Sequence, residues 1–128
     1  VYGPRAKDSG SYNSVVNIFI KQKLNKKPFT IVGNGKQTRS FVYVSDVVDA
    51  IIKSAKSKIS REIFNIGAKK SIQINEITKL LGGKKTYIPK RPGELMHSSA
   101  NIKKAEKLLK WRPKVKFKSG LKKMLKKF

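Results

Sequence analysis

Apolar positions in this chain come in short bursts whose spacing switches between helical and extended periods. Val15, Val16, Phe19 and Ile20 recur at helical spacing and predict a first helix over residues 13–24, ended by Asn25-Lys26-Lys27-Pro28. Residues 29–32 read as a strand that runs into a Gly33-Asn34-Gly35 turn, since glycine and asparagine tolerate positive φ. A β-branched and aromatic run over 40–44 predicts a second strand. Ser45 or Asp46 is expected to cap the next helix, with Val47, Val48, Ala50, Ile51 and Ala55 turned inward. Residues 63–66 read as a strand closed by Gly67, and residues 75–81 as a short helix stopped by Gly82-Gly83. Thr86-Tyr87-Ile88 reads as a brief strand before the stiff loop Pro89 to Glu94. Asn101 is placed to cap a helix carrying Ile102, Ala105, Leu108 and Leu109, ended by Trp111-Arg112-Pro113. Ser119-Gly120 opens a last amphipathic helix with Leu121, Met124, Leu125 and Phe128 on one face. That helix reads as a docked terminal element, with a place on a membrane surface as the alternative.

Strands alternate with helices, so the fold class is α/β. The strands are too few and too short for a complete parallel sheet. The 128 residues therefore read as a single incomplete unit, 1–128, with an incomplete sheet.

Composition narrows the function classes. With no cysteine, disulfides, thiol nucleophiles and cysteine metal sites are excluded, and His97 as the one histidine argues against a metal centre. No apolar run approaches the roughly 18 residues of a spanning helix, and the start of the chain does not look like a signal peptide, which predicts a cytoplasmic location. The formal net charge of +24 raises the possibility of a basic nucleic-acid-binding module. Its makeup weakens that reading. Only Arg5, Arg39, Arg61, Arg91 and Arg112 carry the fork that suits phosphates and base edges, and the lysines are spread over every segment.

Two constellations carry candidate chemistry. Arg39 lies just past the Gly33-Asn34-Gly35 turn, where it is either an anion-binding fork or a surface arginine. In Lys90-Arg91-Pro92-Gly93-Glu94 the flanking prolines restrict the backbone. Arg91 can meet a phosphate, and Glu94 can accept bonds from vicinal hydroxyls; the bland alternative is a solvated loop. Gly33-x-Gly35 is neither a dinucleotide fingerprint nor a P-loop, because Thr38 stands at the third glycine position and Gln37 follows Lys36. None of Tyr2, Tyr12, Tyr43 and Tyr87 has a lysine four residues on; Tyr87 comes nearest, with Arg91. His97 has no evident partner, Trp111 reads as a packing residue, and no catalytic triad can be assembled.

These stretches together resemble the NAD-dependent nucleotide-sugar epimerase/dehydratase family, the extended short-chain dehydrogenases/reductases. The matching segments are Val1-Tyr2-Gly3-Pro4-Arg5, Lys27 through Arg39, Phe41-Val42-Tyr43-Val44-Ser45-Asp46-Val47, Phe64-Asn65-Ile66-Gly67, Arg91-Pro92-Gly93-Glu94, Ala100-Asn101-Ile102 through Trp111 and Pro113, and Gly120-Leu121. Ser40 departs from the family's aspartate. The resemblance implies the C-terminal, substrate-binding part of an extended Rossmann-type enzyme, such as a UDP-glucose 4-epimerase. It implies that Arg39 and Arg91 hold the diphosphate of a UDP- or dTDP-sugar and that Glu94 holds the ribose. Backbone groups of Thr30 and Val32 then border the base, and an amide near Val15, at a helix N-terminus that favours anions, faces a phosphate. It further implies that the glycine-rich NAD turn and the Tyr-x-x-x-Lys pair belong to an N-terminal Rossmann half outside these residues. The chain alone is then expected to hold no catalytic or cofactor-binding residue and to be inactive. A homodimer is one arrangement the resemblance allows, and a non-catalytic interaction fragment is a further alternative.

Overall fold

A computed structural model describes residues 1–6 and 14–126. The loop expected at Asp8, Ser9 and Gly10, the helix start at Asn13, Tyr12 and Phe128 lie outside the described residues. The element order is α1 (Val15–Leu24), β1 (Phe29–Val32), β2 (Thr38–Ser40), α2 (Val44–Lys56), β3 (Ser71–Gln73), α3 (Ile74–Leu81), β4 (Lys85–Ile88), α4 (Lys103–Leu108) and α5 (Phe117–Leu125). The architecture is α/β with a small, partial sheet system. β1 pairs in parallel with β4, Phe29 opposite Lys85 and Val32 opposite Ile88, while β2 pairs antiparallel with β3.

Helix α1 ends in a Schellman arrangement. The Lys27 amide donates to the Gln22 carbonyl and the Lys26 amide to the Lys23 carbonyl, with Lys26 left-handed at φ 53°. Pro28 follows and turns the chain into β1. The buried face of α1 (Val16, Phe19, Ile20) packs against Phe29 and Ile31 of β1 and Ile74, Ile77 and Leu81 of α3. Leu121 and Met124 of α5 close the same cluster, so this helix is docked. Full burial contributes roughly 1.5–3 kcal/mol per large apolar side chain. A second cluster joins Val42, Ala50, Ile102, Ala105, Leu109 and Trp111. The Trp111 Nε1–H donates to the Asp46 carbonyl at 2.9 Å, and the Val115 amide donates to Asp46 Oδ2 at 3.0 Å.

Several expectations need correction. The second strand lies at Thr38–Ser40, two residues earlier than the apolar run, because its ladder is set by β3. Of that run, Tyr43 makes an isolated bridge to Tyr2. α2 starts at Val44 with Tyr43 as its N-cap, so Ser45 and Asp46 lie within the first turn; Asp46 spends its carboxylate on the Val115 amide instead. Val48, Ile51 and Ala55 are exposed, since no described element covers that side of α2. Residues 63–66 form no strand, because no described strand offers them a ladder. The Asn101 side chain bonds the Lys103 amide, although Ile102 is the N-cap of α4, and Leu108 is exposed. α5 begins at Phe117 rather than at Ser119.

Candidate functional site

The parallel pair β1·β4 ends at Val32 and Ile88, and two cavities open there. Ligand clefts in open α/β sheets sit at the carboxyl ends of strands for the same reason: the chain turns away and leaves a crevice. One cavity, of about 190 Å³, is lined by Val15, Thr30, Val32, Arg39, Arg91 and Glu94, together with Ile18, Phe19, Gln37, Ile74 and Ile88. The six residues singled out from sequence thus face a single space, although they come from α1, β1, β2 and the loop after β4. A second cavity, of about 270 Å³, shares Val32, Gln37 and Glu94 and adds Gly33, Asn34, Lys90 and Met96. The shared residues place the two cavities side by side, on either side of Val32, Gln37 and Glu94.

Long-range bonds assemble this space. The Thr38 amide donates to the Met96 carbonyl at 2.8 Å, and the Ser98 amide donates to the Thr38 carbonyl at 3.1 Å. His97, expected to lack a partner, has one: its Nδ1 lies 3.1 Å from Thr38 Oγ1. The loop after β4 is therefore strapped to the start of β2. That strap brings Arg39 and Glu94 together, Nη2 to Oε1 at 3.4 Å. A second guanidinium nitrogen, Nη1, donates to the Thr38 carbonyl at 2.9 Å. With five N–H donors, the guanidinium keeps others for a ligand. Both side chains are about three-quarters buried, at 27% and 23% exposure. Arg91 is exposed and pairs with none of the described acidic residues.

The wall opposite is held by side-chain amides. Gln22 Nε2 donates to Thr30 Oγ1 at 2.7 Å, and the Thr30 amide donates back to Gln22 Oε1 at 3.1 Å. Gln37, buried, donates from Nε2 to the Val32 carbonyl at 2.8 Å. Its own carbonyl accepts from the Ile74 amide at 3.1 Å. The Thr30 amide and one lone pair of the Val32 carbonyl are thus already satisfied within the protein. Gln37 was not singled out from sequence, although it stands in the same Gly-x-Gly-x-Gln-x-Arg stretch as Arg39. Ile18, Phe19, Ile74 and Ile88 had no local site signal, since helix packing brings the first three to the cavity and the β1·β4 pairing brings Ile88 there.

Among the described residues, neither Tyr2 nor Tyr87 lines either cavity. Among the described residues no group of three or more His, Cys, Asp or Glu side chains is placed to hold a metal. Tyr2 is buried, donates to the Phe117 carbonyl at 3.3 Å, and has its pKa raised by burial, then by Tyr43 and Asp46. Tyr87 reaches Asn75 Oδ1 at 3.4 Å. The Gly33-x-Gly35 turn leads into β2 rather than a helix, and a Cβ at Gly35 (φ 70°) would collide with the Asn75 amide group. This turn packs on protein and does not fit a dinucleotide pyrophosphate. No helix of the described residues is long and apolar enough to cross a membrane.

Residues 1–67 match the NAD dependent epimerase/dehydratase family. The chain is 37% identical to a putative UDP-glucose 4-epimerase of Methanocaldococcus jannaschii, over 98% of the chain and 42% of that protein. It is 33% identical to a UDP-N-acetyl-alpha-D-glucosaminuronate decarboxylase of Bacillus cytotoxicus, over 95% of the chain and 41% of the relative. Among solved structures, it superposes on the UDP-glucose 4-epimerase of Thermotoga maritima with UDP-glucose at a TM-score of 0.90 and 36% identity, covering 98% of the chain and 42% of that structure. The UDP-glucuronic acid 4-epimerase of Bacillus cereus, in complex with UDP-glucuronic acid and NAD, gives a TM-score of 0.89 and 32% identity, covering 98% and 41%. The chain thus spans about two fifths of the length of these relatives.

Proposed function

The chain belongs to the NAD dependent epimerase/dehydratase family, and from that premise we propose that it is the nucleotide-sugar-binding portion of an NAD-dependent epimerase or dehydratase. The observation that carries this reading is the convergence of Arg39, Arg91 and Glu94 on one cavity with Val15, Thr30 and Val32. A UDP- or dTDP-sugar needs two cationic forks for its diphosphate, an acceptor for sugar hydroxyls and an apolar slot for its base. Arg39 and Arg91 supply the forks, Glu94 the acceptor, and the backbone at Thr30 and Val32 the border of the slot. Val15, at the N-terminus of α1, adds a helix-end amide that favours a phosphate. The matched relatives with UDP-sugar names or bound UDP-sugars support this ligand class.

Catalysis falls outside this chain in the proposal. The Gly33-x-Gly35 turn does not suit a dinucleotide pyrophosphate, and the family resemblance assigns NAD and the proton-transfer groups to an N-terminal Rossmann half. The exposed apolar side of α2, with Val48, Ile51 and Ile52, beside the extended Phe64 and Ile66, is the surface that half would cover. A cytoplasmic location and inactivity of the 128 residues alone are parts of the same reading.

The test is Arg39→Ala, with UDP binding followed by NMR titration. Removing a charge-assisted hydrogen-bond donor costs about 1.5–3 kcal/mol, so affinity is expected to fall roughly ten- to hundredfold. Unchanged UDP binding would show that the cavity at the end of β1·β4 is not the nucleotide site.

A further inference from the structure

We propose that the far end of the β1·β4 pair carries a second anion site, built from lysines, that takes a compact oligophosphate chain. The two parallel strands that finish at the cleft begin at Phe29 and Lys85. At that starting end lies a cavity of about 280 Å³ that shares no lining residue with the two cavities at the cleft. The end of α1 contributes Lys23, Lys26 and Lys27 to it, and the turn after α3 contributes Lys84. Among the described residues no carboxylate lines it.

A lysine at a helix C-terminus ordinarily complements the helix dipole. Lys23 does this: its ammonium donates to the Gly82 carbonyl at 2.9 Å. Lys26, Lys27 and Lys84 lie past the helix ends, are exposed, and take part in none of the ion pairs among the described residues. Lys26 even holds φ 53°, a conformation in which glycine is at ease. The helix-end carbonyls that would repel an anion are already engaged. Those of Gln22 and Lys23 accept from the Lys27 and Lys26 amides, that of Thr78 from the Gly82 amide, and that of Lys84 from the Phe29 amide. Four ammonium groups around one space repel one another, and an anion of several charges relieves that repulsion. Lysine is a point charge with rotatable donors, so it suits a run of phosphate oxygens better than a planar group. Phe29 is only 1% exposed and offers a base no face to stack on. The ligand is therefore read by its phosphates, a chemistry that free tripolyphosphate shares with the tail of a nucleoside triphosphate.

The experiment titrates tripolyphosphate and ATP separately into the parent chain at about 0.15 M salt, with amide shifts followed by NMR. With tripolyphosphate, the amides of Lys26, Lys27, Gly82, Gly83 and Lys84 are expected to shift and saturate, equally in the parent and in Arg39→Ala. A triple variant, Lys26→Gly, Lys27→Gln and Lys84→Gln, is expected to weaken this binding at least about tenfold. Its glycine suits the left-handed position and its other two changes are exposed, so the fold is kept. A matched control removes the same charge from exposed positions on α4 and α5, by Lys103→Gln, Lys107→Gln and Lys118→Gln, and is expected to change affinity less than about threefold. Equal binding of ATP at these amides supports a nucleotide's triphosphate as well as the free chain, and tripolyphosphate binding with ATP silent supports the free chain. ATP binding with tripolyphosphate silent overturns the proposal, because a base would then carry recognition. An equal loss in the two triple variants overturns it as a general charge effect. Shifts confined to the Arg39 cleft overturn it too, and leave the nucleotide-sugar reading of that cleft untouched.

Discussion

Tyr2 is a single side chain that ties three segments together. Its hydroxyl reaches the Phe117 carbonyl at 3.3 Å, and its ring lies 5.3 Å from Tyr43 and 5.1 Å from Phe117. Burial, Tyr43 and Asp46 all disfavour the phenolate, so the folded pKa lies above the ordinary value near 10. The unfolded chain therefore ionises first as pH rises. Stability from Tyr2 is fully present below about pH 10 and is lost above it, at up to about 1.4 kcal/mol per pH unit. Tyr2→Phe is expected to remove that alkaline loss while costing about 1 kcal/mol at pH 7 through the missing hydrogen bond. Urea midpoints of both proteins at pH 7 and in the alkaline range check this, because subtracting the variant cancels the lysine titration common to both. Parallel alkaline decline in the two proteins would mean that Tyr2 ionises as freely folded as unfolded.

Elements were legible where local periodicity and tertiary demand agree. α1, β1, α3 and β4 are close to the runs that the apolar spacing marks, because α1, β1 and α3 each pack apolar side chains into the first cluster and β4 ladders onto β1. The misplacements lie where a partner decides. β2 is fixed by β3 rather than by its own β-branched run, and residues 63–66 stay unpaired for want of a neighbouring strand. At the candidate site, Arg39, Arg91 and Glu94 stood out by residue type and turn context. Gln37 and the apolar lining did not, because only the fold brings α1 and α3 to the cavity. α2 makes the same point by its surface. Its exposed Val48, Ile51 and Ile52, with Ile51 63% accessible, form an apolar side that lacks a described cover. Ile51→Gln is expected to reduce self-association in light scattering while changing the urea midpoint by less than about 0.5 kcal/mol. A cooperative loss of stability would show instead that Ile51 is packed in the isolated chain.

At the scale of the whole molecule, electrostatics sets two opposing salt dependences. Four side-chain ion pairs are present among the described residues: Arg39–Glu94, Lys53–Asp49, Lys104–Glu62 and Lys114–Asp49. The 31 lysines and arginines outnumber the 7 acidic residues, and the +24 that remains after every acid is counted makes the folded chain repel itself. Monovalent salt at about 0.1 M shortens the screening length to about 10 Å and is expected to raise the urea midpoint. Anion binding moves the other way, since salt screens the attraction. Single-stranded DNA, engaging many lysines, should lose affinity steeply with salt and show no dependence on Arg39. UDP, engaging one cleft, should lose affinity shallowly and depend on Arg39. Titrating both ligands against parent and Arg39→Ala chains across a salt series therefore separates the two readings of the charge. If DNA binding also requires Arg39, the cleft and the basic surface form one site, and the lysines contribute to it. If only UDP requires it, the lysine excess is a background on which one arginine-bearing cleft is selective.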